Sequence, residues 1–95
     1  MLALRRPALI IQADAFNRST IGTVVVAAIT SKLARGDDPG NATLPRGAAG
    51  LPKASVVNAS QLATLDRSAL VNRVGRLSRQ HLARVAEGLR MVLAL

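Results

Sequence analysis

The sequence predicts a mainly β domain closed by one C-terminal α-helix, and three stretches carry that prediction. "TVVVAAIT", residues 23–30, is β-branched, apolar on both faces and bounded by threonines, the pattern of a central strand. "ALIIQA", residues 8–13, is a second short apolar run, opened by Pro7. From Ser78 the period changes. In "SRQHLARVAEGLRMVLAL" the apolar positions Leu82, Val85, Ala86, Leu89, Val92 and Leu93 recur at helical spacing. The sum is a curled antiparallel sheet closed by an amphipathic helix, with no internal repeat.

Taken in order, "DAFNRSTIG" (14–22) holds Asp, Asn, Ser and Gly, the side chains that make turns. It joins the first two strands as an antiparallel pair. "SKLARGDDPGN" (31–41) reads as a loop, with its charges, two glycines and a proline. "ATLP" is a short strand and "RGAAG" a further connection. "LPKASVVNASQLATLD" (51–66) is an extended segment whose Ser55, Asn58, Ser60 and Gln61 suggest one face turned to solvent or ligand. "DRSAL" (66–70) suits one helical turn, and "VNRVGRL" (71–77) another strand. Ser78 is the expected N-cap of the helix, with Arg79, Gln80, Arg84 and Glu87 outside its apolar stripe. Gly88 inside that stripe costs about 1 kcal/mol relative to Ala, so a close backbone contact is expected there.

Ninety-five residues suit one small domain. Without cysteine, neither a disulfide framework nor a thiolate metal site is available. No apolar run approaches the roughly 20 residues of a membrane span, and MLALRRP lacks the pattern of a signal peptide. The expectation is a soluble cytoplasmic protein. Thirteen basic against five acidic side chains leave a formal charge of +8. Residues 1–35 and 66–95 are each strongly basic and the middle is neutral, which favours an anionic partner: nucleic acid or an acidic protein segment.

Several chemistries are excluded or disfavoured by composition. Phe16 is the only aromatic residue, so a stacking platform of the kind used by many single-strand binders cannot be built. His81 is the only histidine, which excludes a histidine pair within one chain and argues against a Ser-His-Asp triad. Its place in the first helical turn suggests a surface residue. Asp37-Asp38, the only acidic pair, lies in a Pro/Gly loop and reads as solvated rather than as a magnesium site. "RGAAGLPK" lacks the ending of a phosphate-binding loop. Arginine, hydroxyl and amide chemistry remains. RNA cleavage is a reaction for which that suffices, because the substrate's own 2′-OH is the nucleophile and in-line positioning supplies much of the rate. A guanidinium matches phosphate oxygens with a planar fork of donors, and a strand-end hydroxyl adds another.

"RRPALIIQADAFNRS", "GTVVVAAITS", "PGNATLP", "GLPKASVVNASQLATLD", "RVGRLS" and "GLRMVLAL" together resemble, in order and spacing, the MazF/PemK/Kid family of toxin endoribonucleases. The resemblance covers nearly the whole chain. It implies a small SH3-like antiparallel β-barrel, a homodimer, and metal-independent, sequence-specific cleavage of single-stranded RNA with no cofactor. It also implies a cognate antitoxin whose acidic C-terminal segment occupies the RNA groove. Arg6 matches the arginine of the family's Arg-Pro step, and Thr30 the strand-end threonine that works beside it. These two are the expected catalytic residues. Ser31, Ser60 and Gln61 match positions expected to bind RNA, as do Phe16, Asn17 and Arg18 in the loop after the first matched strand. Phe16 has an alternative reading as a plug of the barrel.

The sequence departs from the family at its start. Family members open with a strand carrying a Gly-acid-aromatic pattern and a loop before the Arg-Pro step, where MLAL stands here. The expectation is one MazF-like domain over residues 1–95 without that first strand and loop. Losing a strand exposes an edge of unpaired backbone groups. This supports an alternative: a shortened, weak or inactive relative that acts by binding an antitoxin or, like the CcdB relatives of this fold, gyrase. A duplex-DNA module is a third reading, disfavoured because one substantial helix cannot make a helix-turn-helix.

Overall fold

The computed structural model describes residues 7–11, 20–70 and 75–95. Among these residues four strands, β1 (Ala8–Ile10), β2 (Thr23–Thr30), β3 (Ala42–Leu44) and β4 (Ser55–Asp66), form one antiparallel sheet in the order β1-β2-β4-β3. The C-terminal helix α1 spans Arg79–Leu93. Among the described residues, three short 3-10 turns, Leu33–Asp37, Ala48–Gly50 and Arg67–Ala69, lie in the connections. The expected fold class stands: a mainly β, curled antiparallel half-barrel with a C-terminal helix.

β2 occupies the expected range and has β1 and β4 as neighbours. Its valines suit that place, since a strand paired on both sides has little room for polar side chains. β1 is assigned over Ala8–Ile10, and the Ile11 amide donates to the Val25 carbonyl at 3.1 Å and prolongs the ladder; residues 12–13 of the expected strand lie outside the described residues. The core on the helix side joins Ala27, Ala42, Leu44, Leu51, Val57, Leu77 and Val85. Leu44 and Val57 are almost wholly buried, as are Val24 and Val56. Each such side chain contributes about 1.5–3 kcal/mol by leaving water.

The helix begins as the sequence requires: Ser78 Oγ accepts from the His81 amide at 3.2 Å and so caps the first turn. His81 itself is half-buried rather than a plain surface residue. Gly88 is buried, and a Cβ there would collide with the Gly40 carbonyl. Gly40 reaches that contact with φ +83, a conformation that favours glycine. The expected backbone approach at Gly88 is therefore present. The apolar stripe is less buried than its periodicity implied. Val85 packs into the core, with Ala86 and Leu89 half-buried, but Leu82, Val92 and Leu93 are 38–49% exposed. The helix packs against Gly40 through Gly88 and Val92 and against strands β3 and β4.

Two further expectations need correction. No strand forms over Gly75–Leu77, while residues 71–74 lie outside the described residues. Gly75 instead lies against the backbone of Ala49, and Leu77 fills the core from a coil segment. The long loop after β2 is also more ordered in form than its composition suggested. It contains the Leu33–Asp37 3-10 turn, laid flat on the sheet because Gly36 leaves room for Thr43 Oγ1 and Val56.

Candidate functional site

The site is built by an irregularity in the pairing of β2 with β4. Ala28 opposes Asn58, but its neighbour Ala27 opposes Leu62. Ala59, Ser60 and Gln61 are thus interposed on β4 with no partner on β2. An odd insertion reverses the alternation of faces, so Leu62 packs on the helix-side core while Asn58 lies on the opposite face. The bulge is held by side-chain amides. Asn41 Oδ1 accepts from the buried Ala59 amide at 2.9 Å, and Asn58 Oδ1 accepts from Ser60 Oγ at 2.9 Å and from the Ser60 amide at 3.4 Å. Ser55, Asn58, Ser60 and Gln61 therefore do not share one face turned to solvent or ligand, as the sequence suggested; of the four, Asn58 and Gln61 alone border the same concavity. Ser55 and Asn58 are buried, Ser60 and Gln61 exposed.

Beside the bulge, at the end of β2, lies a concavity of about 480 Å³. Pro7, Ala28 and Ile29 line it where β1 meets β2. Thr30 and Ser31 stand at the strand end, Asn58 and Gln61 come from β4, and Lys32 and Arg35 from the 3-10 turn segment. Both charged side chains among these described lining residues are cations. Thr30 Oγ1 accepts from the Lys32 amide at 3.2 Å. That contact occupies an acceptor site of the hydroxyl and leaves its single proton free to donate outward.

Thr30, Ser31 and Gln61, all expected from the sequence, are brought together here. Ser60 is not among the lining residues; its hydroxyl is committed to Asn58, and its part is to brace the bulge. Arg6, Phe16, Asn17 and Arg18 lie outside the described residues. Lys32 and Arg35 were not assigned from the sequence, and Asn58 was expected only as one of four polar residues on a face turned to solvent or ligand. For the two cations a signal was available, since both follow Thr30 within a few residues. Asn58 becomes a lining residue only through the bulge. Asp38, of the acidic pair, sits 3.5 Å from Arg35 in an exposed ion pair, and Asp37 is exposed. Among the described residues, no three His, Asp or Glu side chains converge as a metal site.

A curled antiparallel sheet with a helix on one face, and a cationic, hydroxyl-bearing concavity at a strand end, defines a small β half-barrel suited to an anionic ligand. Residues 3–93 match the family described as PemK-like, MazF-like toxin of type II toxin-antitoxin system, and the chain belongs to that family. It is 44% identical over 93 residues to endoribonuclease MazF6 of Mycobacterium tuberculosis, covering 98% of this chain and 82% of the relative. Endoribonuclease EndoA of Bacillus subtilis is 32% identical, over 95% of this chain and 77% of its own length. Among solved structures, a MazE-MazF complex from Deinococcus radiodurans superposes with a TM-score of 0.78 at 30% identity. The match covers 96% of this chain and 83% of that one.

Proposed function

We propose that this chain is the toxin of a toxin–antitoxin pair, an endoribonuclease that cuts single-stranded RNA and thereby stops translation. The endoribonuclease relatives and the MazE-MazF complex support that reading, and the concavity suggests how the reaction is run. The observation that carries it is the register of β1 on β2. Ala8, Leu9 and Ile10 oppose Ala28, Ala27 and Val26, and the Ile29 amide donates to the Pro7 carbonyl at 3.3 Å. Pro7 and Thr30 both line the concavity, and Arg6 is the residue that precedes Pro7 in the chain. In this reading Arg6 and Thr30 act on one phosphate at the concavity's edge.

In the proposed reaction the 2′-oxygen attacks the adjacent phosphorus and the 5′-oxygen of the next nucleotide leaves. The products are a 2′,3′-cyclic phosphate and a free 5′-hydroxyl. The nucleophile belongs to the substrate, so the protein's first task is to hold it in line, an effect worth up to about 7–11 kcal/mol in well-oriented intramolecular reactions. Its second is to meet the negative charge that grows on the equatorial oxygens. The Arg6 guanidinium offers two parallel donors, and the Thr30 hydroxyl, with its acceptor side taken by Lys32, offers a third. Gln61 and Ser31 contribute neutral donors to flanking phosphates or base edges. Phe16, Asn17 and Arg18 are proposed contacts to the bases.

The same cationic concavity suits an acidic antitoxin segment, which would inhibit by occupying it. A homodimer and a cytoplasmic site of action belong to this reading. Among the described residues no helix is long and apolar enough to cross a membrane. Residues 1–95 are taken as one MazF-like domain.

The test is cleavage of a mixed-sequence RNA in EDTA. Wild-type protein is expected to give fragments ending in cyclic phosphate. Arg6→Ala should lose about 10²–10³-fold, the cost of removing one preorganised oxyanion donor, and Arg6→Lys should recover little of it because a point charge lacks the fork. Cleavage by Arg6→Ala at the wild-type rate refutes the assignment.

A further inference from the structure

Lys32 and Arg35 stand one 3-10 turn apart on the rim of the concavity, and neither is needed for the Arg6/Thr30 chemistry. We propose that they form a phosphate subsite for single-stranded RNA. It would grip the backbone on the Ser31 side of the scissile phosphate and lengthen the track beyond the reacting nucleotide. The inference rests on the endoribonuclease reading of the same concavity.

Three features of the turn support it. In a 3-10 helix, residues three apart eclipse one another and are separated by about 6 Å along the axis. Lys32 stands at the N-cap with extended backbone rather than in the turn, yet it and Arg35 both line the concavity, at a separation on the scale of a single nucleotide step.

The backbone beneath them is tied down at several points. The Lys32 amide donates to Thr30 Oγ1, and the Arg35 amide to the Lys32 carbonyl at 3.0 Å. The Arg35 carbonyl accepts from the Asp38 amide at 3.1 Å and from Asn41 Nδ2 at 2.9 Å. The backbone that carries the two cations is thus held relative to Thr30, and less main-chain ordering is required when RNA binds.

Finally, the Asp38 partner of Arg35 is weakly held. Both side chains of that pair are more than half exposed, at 58% and 51%. A pair so solvated contributes little and gives way to a phosphate, which takes a bidentate guanidinium contact. An acidic polypeptide could seek the same charges. The one-step spacing and the continuity with Thr30 and Ser31 favour a nucleic-acid backbone.

The experiment compares wild type with the double variant Lys32→Ala/Arg35→Ala on two RNA substrates. One is a dinucleotide too short to reach the rim, and the other is an eight-nucleotide RNA containing it. Wild type is expected to prefer the longer substrate in kcat/KM, and the double variant to lose about tenfold or more of that preference, one decade being about 1.4 kcal/mol. Binding of a 2′-O-methyl octamer, which cannot be cut, should lose salt dependence. With two phosphate contacts gone, the slope of log K against log salt falls by about 1.4, at roughly 0.7 per contact for single strands. Asp38→Ala should tighten binding of the octamer about twofold by releasing Arg35.

The variant Arg79→Ala/Arg90→Ala removes the same charge from exposed positions of the helix and serves as the comparison. An equal loss of length preference in this helix variant overturns the subsite, because only total charge would then matter. So does a Lys32/Arg35 variant that keeps the wild-type preference while cutting RNA, and this leaves the endoribonuclease reading standing. Affinity lost only for an acidic antitoxin peptide assigns the two cations to that partner and overturns the inference. Octamer binding that follows Lys32 and Arg35 in a protein that never cuts RNA refutes the cleavage reading and keeps the subsite. A wild type that neither cuts nor binds refutes both.

Discussion

Asn41 offers a direct test of how the concavity is held together. Its side chain joins the two walls: Oδ1 accepts from the Ala59 amide on the bulge, and Nδ2 donates to the Arg35 carbonyl on the 3-10 turn, both at 2.9 Å. Asn41→Ala removes both contacts at once. The Arg35 carbonyl keeps its bond from the Asp38 amide, so that loss is about 0.5–1.5 kcal/mol. The Ala59 amide is different. Ala59 is 1% exposed, water cannot replace the lost acceptor, and an orphaned buried donor costs about 1–3 kcal/mol. The expected destabilisation is about 2–4 kcal/mol. In a domain of this size that is a fall of roughly 10–25 °C in Tm.

Asn41→Asp separates the two contributions. The carboxylate still accepts from Ala59 but cannot donate to Arg35, so this variant should fall between wild type and Asn41→Ala. Thermal unfolding followed by circular dichroism gives the ranking, and hydrogen exchange at the Ala59 amide locates the damage. Equal stability of the two variants, or an Asn41→Ala protein within about 0.5 kcal/mol of wild type, a change ordinary for surface sites, would refute the clamp.

Two further outcomes are expected. Gly88→Ala should destabilise the fold although alanine is the better helix former by about 1 kcal/mol, because the new methyl meets the Gly40 carbonyl; an increase in Tm would refute the close packing. Thr30→Val should lower kcat by about 10²-fold or more with little loss of fold, since it keeps the β-branch and deletes the proposed oxyanion donor. Thr30→Ser should retain most of the rate, and single-turnover cleavage in EDTA distinguishes the two.

The legible parts of the fold were those governed by local rules. Residues 23–30 form β2 because a run of β-branched side chains suits few other environments, and Ser78 caps α1 because its hydroxyl reaches an orphan amide three residues on. Gly88 announced a close contact by its cost to the helix, and the contact is there. The basic charge and the near absence of aromatic residues restricted the ligand to an anion held by donors rather than by stacking. Family membership was also written in the order and spacing of short motifs, and residues 3–93 bear it out.

Tertiary structure decided which side chains share the site. Strand periodicity gives two faces but not the point at which they exchange, and the three-residue bulge at Ala59–Gln61 exchanged them. That is why Asn58 is buried beside the concavity and Gln61 reaches into it, with Ser60 spent on bracing. The register that brings Pro7 to Ile29, beside Thr30, is likewise a property of two chain segments separated by a long connection. So is the seating of the Leu33–Asp37 turn, which brings Arg35 to the rim. Propensity and capping act within a few residues, whereas register and bulges arise only when distant segments compete to bury their backbones. The residue types of the candidate site were therefore determined by the sequence alone, and their meeting place by the fold.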